Sequence, residues 1–322
     1  MLGVLVAGSV VVLTATPAWA VTCSGGATMT IDLSSGESVT ISLNGAEDPR
    51  TIDLSPSDPS CVGFDTSNVT RIGVDGTGGN ESVTINQAGS APFPHQNTSS
   101  IDLALGGGSD ALLIVGRATA DSIGLGRDGI SLDGGSTPDV TGLGSAETLA
   151  VAAGGGDDTV SGKQGGDALG GSLRSPVTIA GGEGNDTLTG GRGNDVVSGG
   201  GGNDTLKGGK GDDTVGGAGG KDVMSGGGGK DALSGGAKGD RLKGGGAADT
   251  IDADDGYDTA SGGGGPDILL GGEGKDVLDG GGGDDHLKGQ AGRDQLSGGK
   301  GNDHCQGGPD PDSITGCEHG QP

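Results

Sequence analysis

The chain has 322 residues, of which 79 are glycine and only 1% are aromatic. No core of large aromatic side chains can be assembled, and the Val, Leu, Ile and Ala that remain are spaced singly, which suits a thin core fed by one aliphatic per short strand. With 44 acidic against 18 basic residues and a net charge of −26, nucleic acid and anionic lipid are poor partners and cations are favoured.

The first twenty residues, MLGVLVAGSVVVLTATPAWA, hold an apolar run from Leu2 to Leu13 and end on Ala18-Trp19-Ala20, a small-x-small cleavage signal. Residues 1–20 are expected to be a signal peptide, with Val21 as the mature start. No Lys or Arg precedes the run, so the translation start is expected upstream. The run is too short to span a bilayer, and nothing later in the sequence is apolar enough to do so. The expected location is extracellular. Cys23, Cys61, Cys305 and Cys317 suit an oxidising compartment. One pair lies near each end, so Cys23–Cys61 and Cys305–Cys317 is the economical pairing of the three possible.

Residues 21–150 follow as a β-rich leader. Alternation in TMTIDLS, SVTISLNG and SIDLALGG predicts strands. GTGGNESVT at 76–84, LGGGSDALL at 105–113 and GLGSAETLA at 142–150 are degenerate versions of one unit. The leader therefore reads as solenoid-like, with an independent sandwich as the alternative. Residues 151–180 are transitional, with looser units around Asp158 and Asp167, and the ten residues Gly171–Ala180 lack an aspartate and shift the register by one.

From 181 to 315 a nine-residue unit repeats fifteen times without insertion. Its aspartates fall at every ninth position from Asp186 to Asp312, and two residues after each stands an aliphatic, from Leu188 to Ile314, with Ala260 and Cys305 the weak substitutes. The aliphatic with its two neighbours is a three-residue strand, one side chain inward and two outward. Gly-Gly-x-Gly-x-Asp before it is a turn in which glycine allows positive φ and close backbone approach. Such a strand cannot stand alone but can stack on its copies into a solenoid. Stacking brings the turn aspartates within about 5 Å of the next coil. Charges that close repel unless a cation lies between them. Carboxylates and glycine carbonyls, with no thiolate or imidazole, form an oxygen pocket that selects a hard ion, and flexible multidentate oxygen favours Ca²⁺ over Mg²⁺. Without that ion the composition is that of an acidic disordered chain.

Nine of the fifteen units match Gly-Gly-x-Gly-x-Asp in full, beginning at Gly181, Gly190, Gly199, Gly208, Gly226, Gly262, Gly271, Gly280 and Gly298. This nonapeptide resembles the RTX, or haemolysin-type, calcium-binding repeat. The resemblance implies a right-handed parallel β-roll with two repeats per coil, calcium in the turns, and sites joining aspartates eighteen apart. Carried over residue by residue, it implies calcium ligands at Asp158, Asp167, Asp186, Asp195, Asp204, Asp213, Asp222, Asp231, Asp267, Asp276, Asp285, Asp294 and Asp303, binding several Ca²⁺ ions. The amino-terminal signal and the short tail 316–322 make the chain most similar to the export-signal-bearing RTX-like proteins of Gram-positive, actinobacterial type. Six units depart from the pattern, the last of them at Pro309, Asp310 and Pro311, and three adjoin one another in the centre of the array: Lys238 and Ala247 replace turn glycines, and Ala253-Asp254 replaces Gly-Gly. Sites there are expected to be weak, dividing the array into blocks at 181–234 and 262–306.

Catalytic motifs are not evident: there is no His-Glu-x-x-His and no Gly-x-Ser-x-Gly. GLGRDG at 124–129 matches a nucleotide-loop pattern only as chance allows in glycine-rich sequence, and DADDGYD at 252–258 has the wrong acidic spacing for an EF-hand loop. His286 and His304, eighteen apart, are expected to share one face, most simply as a solvated pair, with a transition-metal site as the alternative. The outward positions lack a Thr or Asn ladder of the kind ice binding needs. The expected function is a secreted, non-catalytic calcium-binding protein, structural or adhesive, folding on Ca²⁺ and facing an unidentified cell-surface or matrix partner. The alternative is a secreted hydrolase with a small catalytic site in 21–150.

Overall fold

The computed structural model describes residues 20–24, 28–33, 38–42, 71–76, 82–86, 100–104, 111–116, 122–126, 129–131, 140–141, 148–162 and 174–321. Residues 1–19, Cys61 and Asp167 lie outside these, as do the side chain of Cys23 and the proposed Cys23–Cys61 bridge. Every regular element among the described residues is a strand, and among those residues no helix is long and apolar enough to cross a membrane. The chain divides into two compact units, residues 1–155 with 162–173, and residues 156–161 with 174–322.

In the first unit, Thr28–Leu33, Arg71–Gly76 and Ser100–Ala104 pair in parallel. A second parallel set comprises Ser38–Ser42, Ser82–Asn86, Ala111–Val115 and Thr148–Gly155. Its register aligns Val83 with Leu112 and Leu112 with Leu149. These are the aliphatic positions of the three degenerate units, so those units stack rung on rung even though 29 and then 37 residues separate them. Leu112, Ile114, Leu149 and Val151 are buried. The Gly-x-Gly-x-x-Gly match belongs to a tight hairpin: Ser122–Gly126 and Gly129–Ser131 pair antiparallel with Gly126 opposite Gly129.

The second unit is a parallel β-roll. Strands of mostly six residues alternate between two sheets, and each pairs with the strand eighteen residues on. Leu188 thus lies over Leu206, and Leu206 over Met224, in one sheet; Val197 lies over Val215, and Val215 over Leu233, in the other. Every inward residue from Leu188 to Cys305 is at most 3% exposed. The strands open with an exposed–buried alternation, as in Thr214–Gly219, because successive side chains point to opposite faces.

The roll reaches beyond 181–315 at both ends. Val177–Glu183 pairs with Val196–Gly201 at the same eighteen-residue spacing, so Val177 stands where an aspartate would and Ile179 supplies the aliphatic rung. Thr159–Ser161 pairs with Thr187–Gly191, a spacing of 28, because residues between them depart from the repeat. At the other end His319–Gln321 pairs with His304–Gln306, so the tail adds a strand. Cys305 and Cys317 form a disulfide with Cα atoms 6.1 Å apart.

Candidate metal centre

The repeated aspartate closes each turn and is the hinge between coils. Asp186 donates its backbone N–H to Asp204 Oδ1 at 2.8 Å, and its carbonyl accepts from Thr205 N–H at 2.8 Å. The pattern recurs along two edges of the roll. One edge carries Asp158, Asp186, Asp204, Asp222, Asp240, Asp258, Asp276, Asp294 and Asp312, and the other runs from Asp195 through Asp213, Asp231, Asp249, Asp267 and Asp285 to Asp303. On the second edge Asp195 also reaches back to Val177, whose N–H it accepts at 2.9 Å. Aspartates eighteen apart are therefore joined, through the backbone of one and the carboxylate of the other.

These hydrogen bonds use only Oδ1. From Asp186 to Asp303, every ninth residue is an aspartate at most 3% exposed, and its Oδ2 is buried with no hydrogen-bond partner, as is Oδ2 of Asp312. A buried acceptor left unpaired costs about 1–3 kcal/mol, and more when charged. A row of fifteen such atoms in one domain is far above the few expected of a native structure, and it points to a ligand that the row is built for.

The first glycine of each unit shapes the space in front of that oxygen. A Cβ placed on Gly181 would run into Asp186 Oδ2 and stand 2.6 Å from the carbonyl oxygen of Gly199 in the next coil. At Gly190 it would meet Asp195 Oδ2 and the Gly208 carbonyl, the latter at 2.6 Å. Carboxylate and carbonyl oxygens thus converge on a place that only glycine leaves open. Among the described residues no three His, Cys, Asp or Glu side chains group to hold a metal. The donor set is instead one buried carboxylate oxygen per unit with backbone carbonyls. That is a hard, all-oxygen set of the kind Ca²⁺ takes.

Electrostatics agree. Burial pushes the carboxyls of Asp204, Asp213, Asp240, Asp249 and Asp276 up to about 6, and those of Asp195 and Asp258 up to about 7. Backbone N–H donors pull the other way, and neighbouring carboxylates in the row, such as Asp213 beside Asp195, add to the rise. The ion-free fold resists carrying its full charge, which is the condition under which a cation is taken up strongly.

Asp240, Asp249 and Asp258, in the three central departing units, share this geometry: each is 1% exposed, with Oδ1 bonded and Oδ2 orphaned. The departures act on the turns. Lys238, Ala247 and Asp254 hold φ of 82°, 83° and 67°, in the left-handed region where glycine stands in other units. Ala218 (74°) and Gln290 (75°) do the same, two departures that the repeat alignment alone did not single out. Ala253 takes the place of the first turn glycine, where in other units a Cβ would crowd the carboxylate. The backbone gives way there: the strand stops at Asp252 and resumes at Asp255. Lys238 also lies close enough for its charge to draw down the burial-raised Asp222 carboxyl. Replacing Lys238, Ala247 and Asp254 by glycine should stabilise the folded array by about 1 kcal/mol each, since a left-handed L-residue costs ~1–2 kcal/mol. Adding Ala253→Gly should tighten binding at the Asp258 turn. Calcium titrations of the single and combined variants check this, and a combined variant no tighter than the parent would refute it.

A second, exposed ladder runs through the variable position before the aspartate in those units that carry Asn or Asp there. Asn185 accepts from Asn203 N–H at 2.9 Å, Asn203 from Lys221 N–H at 2.8 Å, and Asn194 from Asp212 N–H at 2.9 Å. The recurrence of Asn or Asp at 185, 194, 203 and 212 was the available signal.

The description RTX calcium-binding nonapeptide repeat (4 copies) is that of the family model that matches residues 151–169 and, in overlapping segments, 178–314. No curated protein matches the chain. Fifteen in-register repeats, the oxygen cradle of the glycine turns and this match make one statement: over residues 151–314 the chain belongs to the RTX calcium-binding nonapeptide repeat family.

Proposed function

We propose that the protein is an exported, non-catalytic calcium-binding protein whose roll folds when Ca²⁺ enters the turns, in a structural or adhesive role outside the cell. The observation that carries this reading is the row of buried, unpartnered Oδ2 atoms facing carbonyl oxygens. One aliphatic per nine residues gives too little burial to offset the ordering entropy of a glycine-rich chain. The ion supplies what the core does not, so binding free energy becomes folding free energy. The residues that would hold Ca²⁺ are the aspartates of the two rows and the turn carbonyls between them. The signal-like amino terminus supports export, which would deliver the chain unfolded to a calcium-rich exterior.

Circular dichroism of the mature protein across a Ca²⁺ titration, with Mg²⁺ as control, tests the reading. The β signal should rise cooperatively with Ca²⁺ and stay low with Mg²⁺. A roll equally β-structured in excess chelator at neutral pH would end it. Within the array, Asp204→Asn keeps an acceptor for Asp186 N–H but removes the charge. It should lower calcium affinity in block 181–234 while leaving block 262–306 nearly untouched, as read by site-resolved amide exchange. Uniform weakening of the whole array would instead show that the departing units transmit cooperativity as well as the rest.

A further inference from the structure

The chain has four histidines, and the fold places three of them on consecutive rungs of one sheet. The register pairs His286 with His304 and His304 with His319. The spacing of eighteen shows the first pair in the sequence. His319 is only fifteen residues beyond His304 and joins the column because the tail folds back as a strand. All three side chains are exposed on the outer face, away from the buried aspartates. The rings of His286 and His304 have centroids 5.7 Å apart and are inclined at 48°, so they are not stacked face to face.

We propose that the His286–His304 pair of this column is a binding site for a borderline transition-metal ion of the Zn²⁺, Co²⁺, Ni²⁺ or Cu²⁺ class, with solvent completing the coordination. A metal–nitrogen bond of about 2.0–2.1 Å sets each ring centroid about 3.2 Å from the ion, so two rings at a tetrahedral angle have centroids roughly 5 Å apart. The observed pair needs only a small side-chain adjustment to reach that arrangement. Adjacent parallel strands, about 4.8 Å apart, fix the two backbones at the spacing such a chelate uses, so little ordering remains to be done on binding. Imidazole nitrogen suits these metals, whereas the oxygen cradles of the turns suit Ca²⁺. The two kinds of site therefore select different ions and need not compete. The strongly negative chain raises the local concentration of any divalent cation.

The test uses the full mature protein, folded in saturating calcium. Calorimetric titration with Zn²⁺, and Co²⁺ absorption as a spectroscopic readout of nitrogen ligation, should show one site that excess Ca²⁺ or Mg²⁺ does not displace. His304→Gln, at an exposed position, should keep the calcium-dependent circular dichroism and weaken Zn²⁺ at least about tenfold, since loss of even an outer-shell partner costs ~10–100-fold in affinity. His286→Gln should do the same, and His95→Gln, a histidine outside the proposed site, should change nothing. No Zn²⁺ binding above that of the double His286 and His304 variant, or binding that millimolar Ca²⁺ removes, overturns the assignment.

Discussion

In excess chelator, lowering the pH from 7.5 towards 4.5 is expected to restore β structure to the roll without calcium. An exposed aspartate titrates near 3.9. In the ion-free roll, burial raises Asp204, Asp213, Asp240, Asp249 and Asp276 to about 6 and Asp195 and Asp258 to about 7. A folded-state value above the unfolded one means that folding binds protons. The stabilisation is complete below pH ~4 and is lost as the pH rises through 6 to 7. Many aspartates share the shift, so the transition should be steep. A proton on a carboxyl removes its repulsion for the next one in the row and the cost of burying its charge. On the proposed calcium ligation, protons and Ca²⁺ compete for the same oxygens, so in subsaturating calcium the same acidification should release bound ion. Circular dichroism and a calcium electrode read the two effects. A chelated protein that stays unfolded from pH 7.5 to 4.5 would show that charge neutralisation alone does not close the turns, and that the multidentate bridging of an ion is required.

Opening the Cys305–Cys317 bridge is expected to destabilise the carboxy-terminal coils first, by about 3 kcal/mol for a closed loop of this length. Cys305 occupies an inward position, 0% exposed, over Leu287. The bridge holds Cys317, and through it the strand His319–Gln321, across the last rung of that sheet. Glu318 completes the cap. Its Oε2 accepts Asp303 N–H at 2.9 Å, in place of the aspartate Oδ1 that the next coil would supply. Ile314, on the terminal rung of the other sheet, remains only half-buried. An open solenoid end exposes apolar rungs and unpaired strand edges, so a cap is required there. Cys305→Ser with Cys317→Ser, or a mild reductant, should raise the calcium midpoint of block 262–306 well before that of block 181–234. Glu318→Ala should cost about 1 kcal/mol more than Glu318→Gln, which retains an acceptor. Equal midpoints in the bridged and reduced protein would remove the cap from this account.

The amino-acid sequence by itself determined the roll. A nine-residue period fixes which residue turns, which points inward and which neighbours it across eighteen residues, because a solenoid makes its contacts only between adjacent copies. Leu206 over Leu188, and Asp204 joined to Asp186, follow from the spacing alone. The chemistry of the turns was equally legible, since aspartate and glycine carbonyls offer nothing but oxygen. The tertiary structure decided what lies off the period. It placed Ile179 as a rung in a coil where Val177 stands in the aspartate's position, and it aligned Val83, Leu112 and Leu149 despite unequal spacing, because strand pairing tolerates loops of any length between rungs. It showed that Lys238, Ala247 and Asp254 adopt the left-handed turn in place of glycine, so the aspartates they serve stay in line. The neighbours on either side hold the coil and impose that conformation on a residue that would not choose it. It also folded the tail back at a spacing of fifteen rather than eighteen, giving Asp303 an acceptor from Glu318 and the histidine column its third member. That choice depends on which groups the last coil leaves unpaired, and no repeat continues there to encode it.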